Sequence, residues 1–373
     1  MTIQGTATTQ RIRSIDGLRG LVMLLMLVDH AREFFFIGHQ VGDPMDIATT
    51  TPGLFFTRLA AHLCAPVFVA LTGLAAWLYG RGRSAAAVSA FLLKRGLFLI
   101  ALELTLVGFG WSFAVPPAMI YLQVIWAIGL SMIALAALVH LPRAAVATIG
   151  IVIVAGHNLL DPVAFAPGTP AHAAWAILHE RAVLPLAEGL RARTSYPVLP
   201  WIGVIAIGYA IGPWFAGPAA VRRRRLIAAG VAMLLAFVAI RAANGYGEPV
   251  AWTVGATPLA TVMSFLNLTK YPPSLDFLLL TLGIGALLLA AWEGRGGPLA
   301  VLGGAPLFFY LLHIYALHLL RLIWTQAGGG AGDVPSIAWV WAIAAVCAPP
   351  LWLATRWFAG VKRRSDRWWI RYL

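Results

Sequence analysis

The chain has 373 residues, 60% hydrophobic and only 11% charged, with 15 Trp and a formal charge of +13. A water-soluble domain carries about 25% charged residues, so lipid is the expected solvent for much of this surface and a soluble globule is excluded. In a membrane protein the surplus of Lys and Arg belongs to cytoplasmic connections rather than to a nucleic-acid partner. Cys64 and Cys347, both within apolar runs, offer neither a disulfide framework nor a CxxC metal pair.

Roughly ten apolar runs of about twenty residues read as membrane spans. The first, 16–37, follows Arg11 and Arg13; it is too long for a cleaved signal and no small-residue cleavage site follows it. Asp16 and Arg19 stand at its start, where they either cap and orient the helix or begin a polar stripe. Its far end, LVDHAREFFF, packs Asp29, His30, Arg32 and Glu33 together at i,i+3 and i,i+4 spacings that share faces. A charge at mid-bilayer costs about 2.5–3.5 kcal/mol on insertion scales, so such groups face a bundle interior or a wet cavity. The alternative is an ion-pair group snorkelling to the interface.

The second span, 54–80, places Arg58 and His62 one helical turn apart, with Pro66 just inward. Counting from the outer ends brings His62 and His30 to similar depth, where two histidines can meet; a lone membrane His is also a common packing partner. Span three, 86–109, carries Lys94 and Arg95 a turn or two inside and Glu103 deeper; span four, 113–139, carries Tyr121 and Gln123. Span five, 143–160, leaves outward through HNLLD, which contains His157. An outer loop at 161–196 holds His172, His179, Glu180 and Arg181. In the next two spans, 197–216 and 224–244, Gly208 and Gly212 form a small-xxx-small pair suited to helix packing. A second outer loop, 245–273, ends in NLTKYPPS with Lys270 and Tyr271. Spans 274–292, 298–324 and 336–359 follow, the ninth bearing His313, His318 and Arg321, before a basic tail at about 360–373.

Arg11, Arg13, Arg81, Arg83, Arg143, Arg222 to Arg225, Arg295 and Lys362 to Arg364 fall in alternate connections, whereas 38–53 and 328–334 contain no Lys or Arg. The expectation is an all-α polytopic transmembrane helix bundle of about ten helices, one domain over 1–373, with both termini cytoplasmic. On the inner side Arg19, Arg81, Arg83, Lys94 and Arg95 form a basic mouth suited to an anionic donor. Positive-inside bias explains most of them equally well; the depth of Lys94 and Arg95 is the detail it does not require. His313 and His318 point to different faces, and no three or four convergent ligands can be assembled, so no metal is expected. No GxGxxG follows a strand pattern, which argues against a Rossmann nucleotide site.

In order along the chain, RIRSIDGLRGLVMLLMLVDH, FFTRLAAHLCAPVFVALTG, YPVLPWIGVIAIGYAIG, NLTKYPPSLDFLLLTLG and GGAPLFFYLLHIYALH resemble blocks of the heparan-α-glucosaminide N-acetyltransferase catalytic-domain family of transmembrane acyltransferases. The resemblance, to bacterial-type members, implies a multi-pass enzyme of the inner (plasma) membrane. It implies acetyl-CoA taken from the cytoplasmic side as acyl donor, with the acetyl group passed to an amino sugar or other glycan outside. It also implies a histidine at the end of the first helix or in the loop after it: His30 by position in the helical motif, with His39 second.

Acyl transfer from a thioester needs a base or nucleophile and donors for the developing oxyanion. Histidine, with an unperturbed pKa of about 6.5, suits the base. The expected catalytic set is His30 with Asp29 or Glu33 orienting it, and His62. Arg58, His313, His157, Lys270 and Tyr271 are the expected acceptor-side groups; Arg19, Arg83, Lys94 and Arg95 the donor-side groups. A covalent acetyl-histidine relay stays open. The expected partners are membrane lipid, acetyl-CoA and the acceptor, without nucleic acid, and a homo-oligomer is compatible with the sequence. The alternative of a different class is a transporter or flippase using His and carboxylate groups as a proton relay. It calls for broken helices at matching positions of two halves, and no such repeat is readable.

Overall fold

The computed structural model describes residues 12–39, 41–295, 297–328 and 333–372; Arg11 and most of the 328–334 connection lie outside them. Helices dominate. Six described segments are long and apolar enough to cross a membrane: Pro52–Gly80, Ala85–Ser112, Arg143–Leu160, Ala219–Ala243, Pro306–Gln326 and Ile337–Arg364. Val124–Leu138, Leu199–Ala210 and Leu275–Ala291 are shorter apolar helices.

The first helix, Arg13–Phe35, differs from these because its charges crowd both ends. It solves that problem by sitting in the middle of the bundle. Leu18, Val22, Met23, Leu27 and Ala31 are fully buried, against helices 64–80, 275–291, 299–302, 306–326 and 337–364. Neighbouring protein, rather than lipid, therefore receives its ionisable side chains. Close approach is achieved with glycine: a Cβ on Gly20 would lie 2.0 Å from the Leu299 carbonyl oxygen, and one on Gly208 2.1 Å from that of Ala70.

Several expected spans are interrupted. The second breaks into helices Pro52–Ala61 and Cys64–Gly80, with His62 at the break. Pro66 has no N–H to give the His62 carbonyl, and its ring would collide with it in a continuous helix. The third ends in a π-helical turn, Glu103–Val107, and a last helical turn, Gly108–Ser112. The expected fourth span begins late: Pro116 and Pro117 cannot continue a helix, and Met119–Leu122 is a strand.

That strand amends the all-α expectation. It pairs in parallel with Leu190–Thr194 (Met119 opposite Arg191), which pairs antiparallel with Val183–Ala187. The segment 161–196 is thus a folded cap, helix Pro170–Leu178 followed by a hairpin, rather than an open linker. The 245–273 segment likewise contains a short helix, Pro258–Leu266.

Candidate active site

His30 lies near the end of the first helix and meets His313, from the middle of Pro306–Gln326. Their Nδ1 and Nε2 atoms are 2.6 Å apart, and the rings stack at 4.8 Å between centroids. His313 is fully buried, and its Nδ1 lies 2.8 Å from the Phe309 carbonyl oxygen. A carbonyl only accepts, so the proton of neutral His313 is on Nδ1 and its Nε2 is a lone pair. His30 must then donate through Nδ1, which leaves the His30 Nε2 lone pair available. One backbone carbonyl thereby fixes the tautomer of both rings.

Two further groups surround His30. Trp111 meets it edge-on at 4.8 Å and Tyr310 at 6.0 Å. The Trp111 Nε1–H and the Tyr310 hydroxyl are buried without a partner of standard hydrogen-bond geometry. Such donors are suited to charge that develops on a substrate oxygen.

Asp29 points to another side of the helix. Arg58 Nη1 donates to its Oδ2 at 2.6 Å, and Arg32 to its Oδ1 at 3.3 Å; Arg32 also pairs with Glu33 at 2.5 Å. Among the described residues neither carboxylate is bonded to His30. The role of orienting partner, expected for Asp29 or Glu33, falls geometrically to His313. Arg58 continues outward: its Nη2 donates to the Tyr271 hydroxyl at 3.3 Å, which lies 3.5 Å from that of Tyr196. The Lys270 ammonium stands over both rings, at 5.9 Å from Tyr196 and 5.3 Å from Tyr271. Burial raises the Tyr271 phenol, but Lys270 and Arg58 outweigh it and bring the group below its ordinary value. His62 is buried and packs on Phe277 at 5.1 Å. It lies in the field of Lys270, Arg58 and Asp29, and the ring contact with His30 that similar depth suggested is not made.

On the opposite side of the His30–His313 pair is a cavity of about 430 Å³. Arg19, Arg95 and Lys362 bring cations to it; Met26, one turn below His30, and Tyr310, one turn from His313, also line it. Of the expected donor-side residues, the fold brings Arg19 and Arg95 together there. Arg83 is exposed and lies over the Tyr79 ring at 4.2 Å, and Lys94 is exposed on another face of its helix. His39 is on the surface, 3.4 Å from Asp333. His157 sits apart from the His30 groups, with His179 and Asp161.

Trp111, Tyr310, Tyr196 and Lys362 were not singled out from the sequence. Tyr310 had a usable signal, its i,i+3 spacing to His313. Lys362 was absorbed in the basic tail, and nothing local marks Trp111.

Residues 11–247 match the family model described as heparan-alpha-glucosaminide N-acetyltransferase, catalytic. The match ends before Lys270, Tyr271, His313 and Lys362, which rest on the structure. No curated protein matches the chain. With well over half of its length matched, and with apolar helices able to cross a bilayer, the chain belongs to the heparan-alpha-glucosaminide N-acetyltransferase catalytic family of membrane acetyltransferases.

Proposed function

We propose that the protein takes the acetyl group of cytoplasmic acetyl-CoA and transfers it to an amino sugar or other glycan acceptor on the outer side. The carrying observation is that the cavity with Arg19, Arg95 and Lys362 reaches Met26 and Tyr310, directly beneath the His30–His313 pair. The cations suit the phosphates of the donor, and a cavity that reaches from Arg19 and Lys362 to Met26 and Tyr310 suits a pantetheine arm that presents its thioester to the histidines.

In this reading ten helices cross the membrane and both termini are cytoplasmic. The acceptor amine or hydroxyl approaches from the side of Arg58, Lys270 and Tyr271. His30 Nε2 takes its proton while the new bond to the acetyl carbon forms; the carbon–sulfur bond then breaks and coenzyme A leaves as the thiolate. His313 stabilises the imidazolium by accepting from His30 Nδ1–H, and Trp111 or Tyr310 donates to the carbonyl oxygen. The same lone pair also fits direct attack on the thioester, giving an acetyl-histidine that the acceptor then opens.

The test uses purified protein with acetyl-labelled acetyl-CoA and a panel of amino sugars and glycans. Coenzyme A release with label on an acceptor is expected, falling by at least about 10²-fold in His30→Ala, the lower range for general base catalysis. An unchanged rate in His30→Ala removes His30 from this role. Uptake of labelled solute into proteoliposomes without acetyl-CoA consumption replaces the reading with transport.

A further inference from the structure

No convergent set of metal ligands is readable along the chain, yet folding the 161–196 cap creates one. His157 opens the 3₁₀ turn His157–Leu160, Asp161 follows it, and His179 stands at the end of helix Pro170–Leu178. One ligand atom from each of the three lies within 4.8 Å of the others. His179 Nε2 is 2.9 Å from Asp161 Oδ1, and the His157 and His179 rings are 5.5 Å apart.

We propose that His157, Asp161 and His179 bind a divalent transition cation, with Zn²⁺ the best chemical fit, and that this ion fastens the outer cap to the helix bundle. The independent sign is His157 itself. It is only 2% exposed, and neither of its ring nitrogens has a partner of standard hydrogen-bond geometry; the Pro273 carbonyl beside it can take the proton of one nitrogen, which leaves the other a lone pair, and His179 Nδ1 also lacks a partner of standard geometry. A buried imidazole loses its water on both nitrogens, and protein normally replaces it. Here a ligand-ready nitrogen faces a carboxylate and a second imidazole instead.

The donor set is two imidazoles and one carboxylate, with a fourth position for water or substrate, a combination that zinc accepts at about 2.0–2.2 Å per bond. Ligand atoms around one such ion stand roughly 3–3.5 Å apart, so gathering these three requires side-chain movement of about an ångström. The surroundings resemble an outer ligand shell. Asn158 Nδ2 donates to Asp161 Oδ2 at 3.0 Å, while Asn158 Oδ1 accepts from Leu275 N at 2.9 Å. The Trp175 ring packs against His179 at 5.1 Å, and the Pro273 carbonyl lies beside His157. Partners of this kind fix ligand orientation.

The location gives the ion its role. His157 ends the 143–156 helix, and Asn158 reaches Leu275, the first residue of the helix that follows the turn carrying Lys270 and Tyr271. Arg181, two residues beyond His179, stands over the Tyr271 ring at 4.9 Å. An ion on His157, Asp161 and His179 thus joins two segments, the 157–161 turn and the end of helix Pro170–Leu178, with Leu275 attached through Asn158, as a positioning element rather than a participant in acetyl transfer.

The experiment uses the full chain in detergent, stripped with EDTA, incubated with ZnCl₂ and desalted. About one equivalent of zinc per chain by elemental analysis is expected, together with a zinc-dependent rise in melting temperature. Co²⁺ in place of zinc should give visible ligand-field absorption. His157→Ala and Asp161→Asn should lose the metal and the stabilisation, Asn158→Ala should weaken binding by about 10- to 100-fold, and His172→Ala, in the same cap, should retain both. Where a variant does not fold, the wild-type stoichiometry and Co²⁺ spectrum decide. Wild type without bound metal, or folded His157→Ala and Asp161→Asn with undiminished metal, overturns the site.

Discussion

In the proposed mechanism His313 does for His30 what a carboxylate does in many histidine-based sites, without bringing a charge. Its own Nδ1–H is committed to the Phe309 carbonyl at 2.8 Å, so it presents a lone pair to His30 Nδ1–H. This predicts a graded result. His313→Leu removes the acceptor and should lower kcat by about 10²-fold or more, within the range for general base catalysis, while leaving the donor KM nearly unchanged. His313→Gln keeps an acceptor oxygen at a similar reach and should recover part of the rate. Steady-state acetyl transfer on the two purified variants separates the possibilities: equal losses would mean that His313 fills space and sets no tautomer. Asp29 has a different job. Held by Arg58 at 2.6 Å and Arg32 at 3.3 Å, it neutralises two buried guanidinium groups and joins the first helix to the Tyr271 turn. Four ionisable groups in LVDHAREFFF thus divide between one histidine paired with His313 and an ion-paired lattice of Asp29, Arg32 and Glu33 with Arg58.

His30 and His313 stand on uninterrupted helices, whereas two of their neighbours in the site stand where a helix departs from regularity. His62 occupies a break enforced by Pro66, and Trp111 follows a π turn, a feature frequent at functional sites. The regular helices around them are joined at backbone distance through glycine. A Cβ at Gly73 would lie 2.0 Å from the Ile205 carbonyl oxygen. Gly208→Leu should therefore separate helices 64–80 and 199–210 and destabilise the protein by about 1–3 kcal/mol or more. A thermal shift in detergent checks this; an unchanged melting temperature would contradict the packing. Much of this level was legible beforehand. The expected 274–292 span is helix Leu275–Ala291, because long apolar runs carry a strong signal. Residues 119–122 were not legible, since a short apolar run fits strand and helix alike. The sheet of the 161–196 cap was missed in part because its parallel pairing joins 119–122 to 190–194, which are distant in sequence. The pairing of His30 with His313 spans 283 positions, and no local spacing encodes it.

At the scale of the molecule, the two ends of the bundle offer opposite chemistry around one pair of rings. The start of the first helix, the 64–80 helix through Tyr79, the middle of 85–102, the start of 306–326 and the end of 337–364 converge on the cavity with Arg19, Arg95 and Lys362. The other ends of the first helix and of 306–326 bear Arg58-linked Asp29 and His318. The proposed topology, drawn from the alternation of Lys and Arg along the chain, puts the cavity end at the cytoplasm. Two consequences can be measured on one preparation. Arg95 lines the cavity and stands 5.4 Å from the Tyr372 ring. If it meets a donor phosphate, Arg95→Ala removes a charge-assisted bond of about 1.5–3 kcal/mol and raises the acetyl-CoA KM by roughly 10- to 100-fold. Added salt should weaken the wild type toward the variant, since exposed phosphate contacts are screened. In proteoliposomes sorted by orientation, acetyl-CoA should be consumed only from the face that exposes the basic tail, with label appearing on an impermeant acceptor at the opposite face. Consumption of donor and labelling of acceptor on the same face would sink the two-ended arrangement while leaving the histidine pair intact. The sidedness measurement therefore isolates the membrane topology from the chemistry.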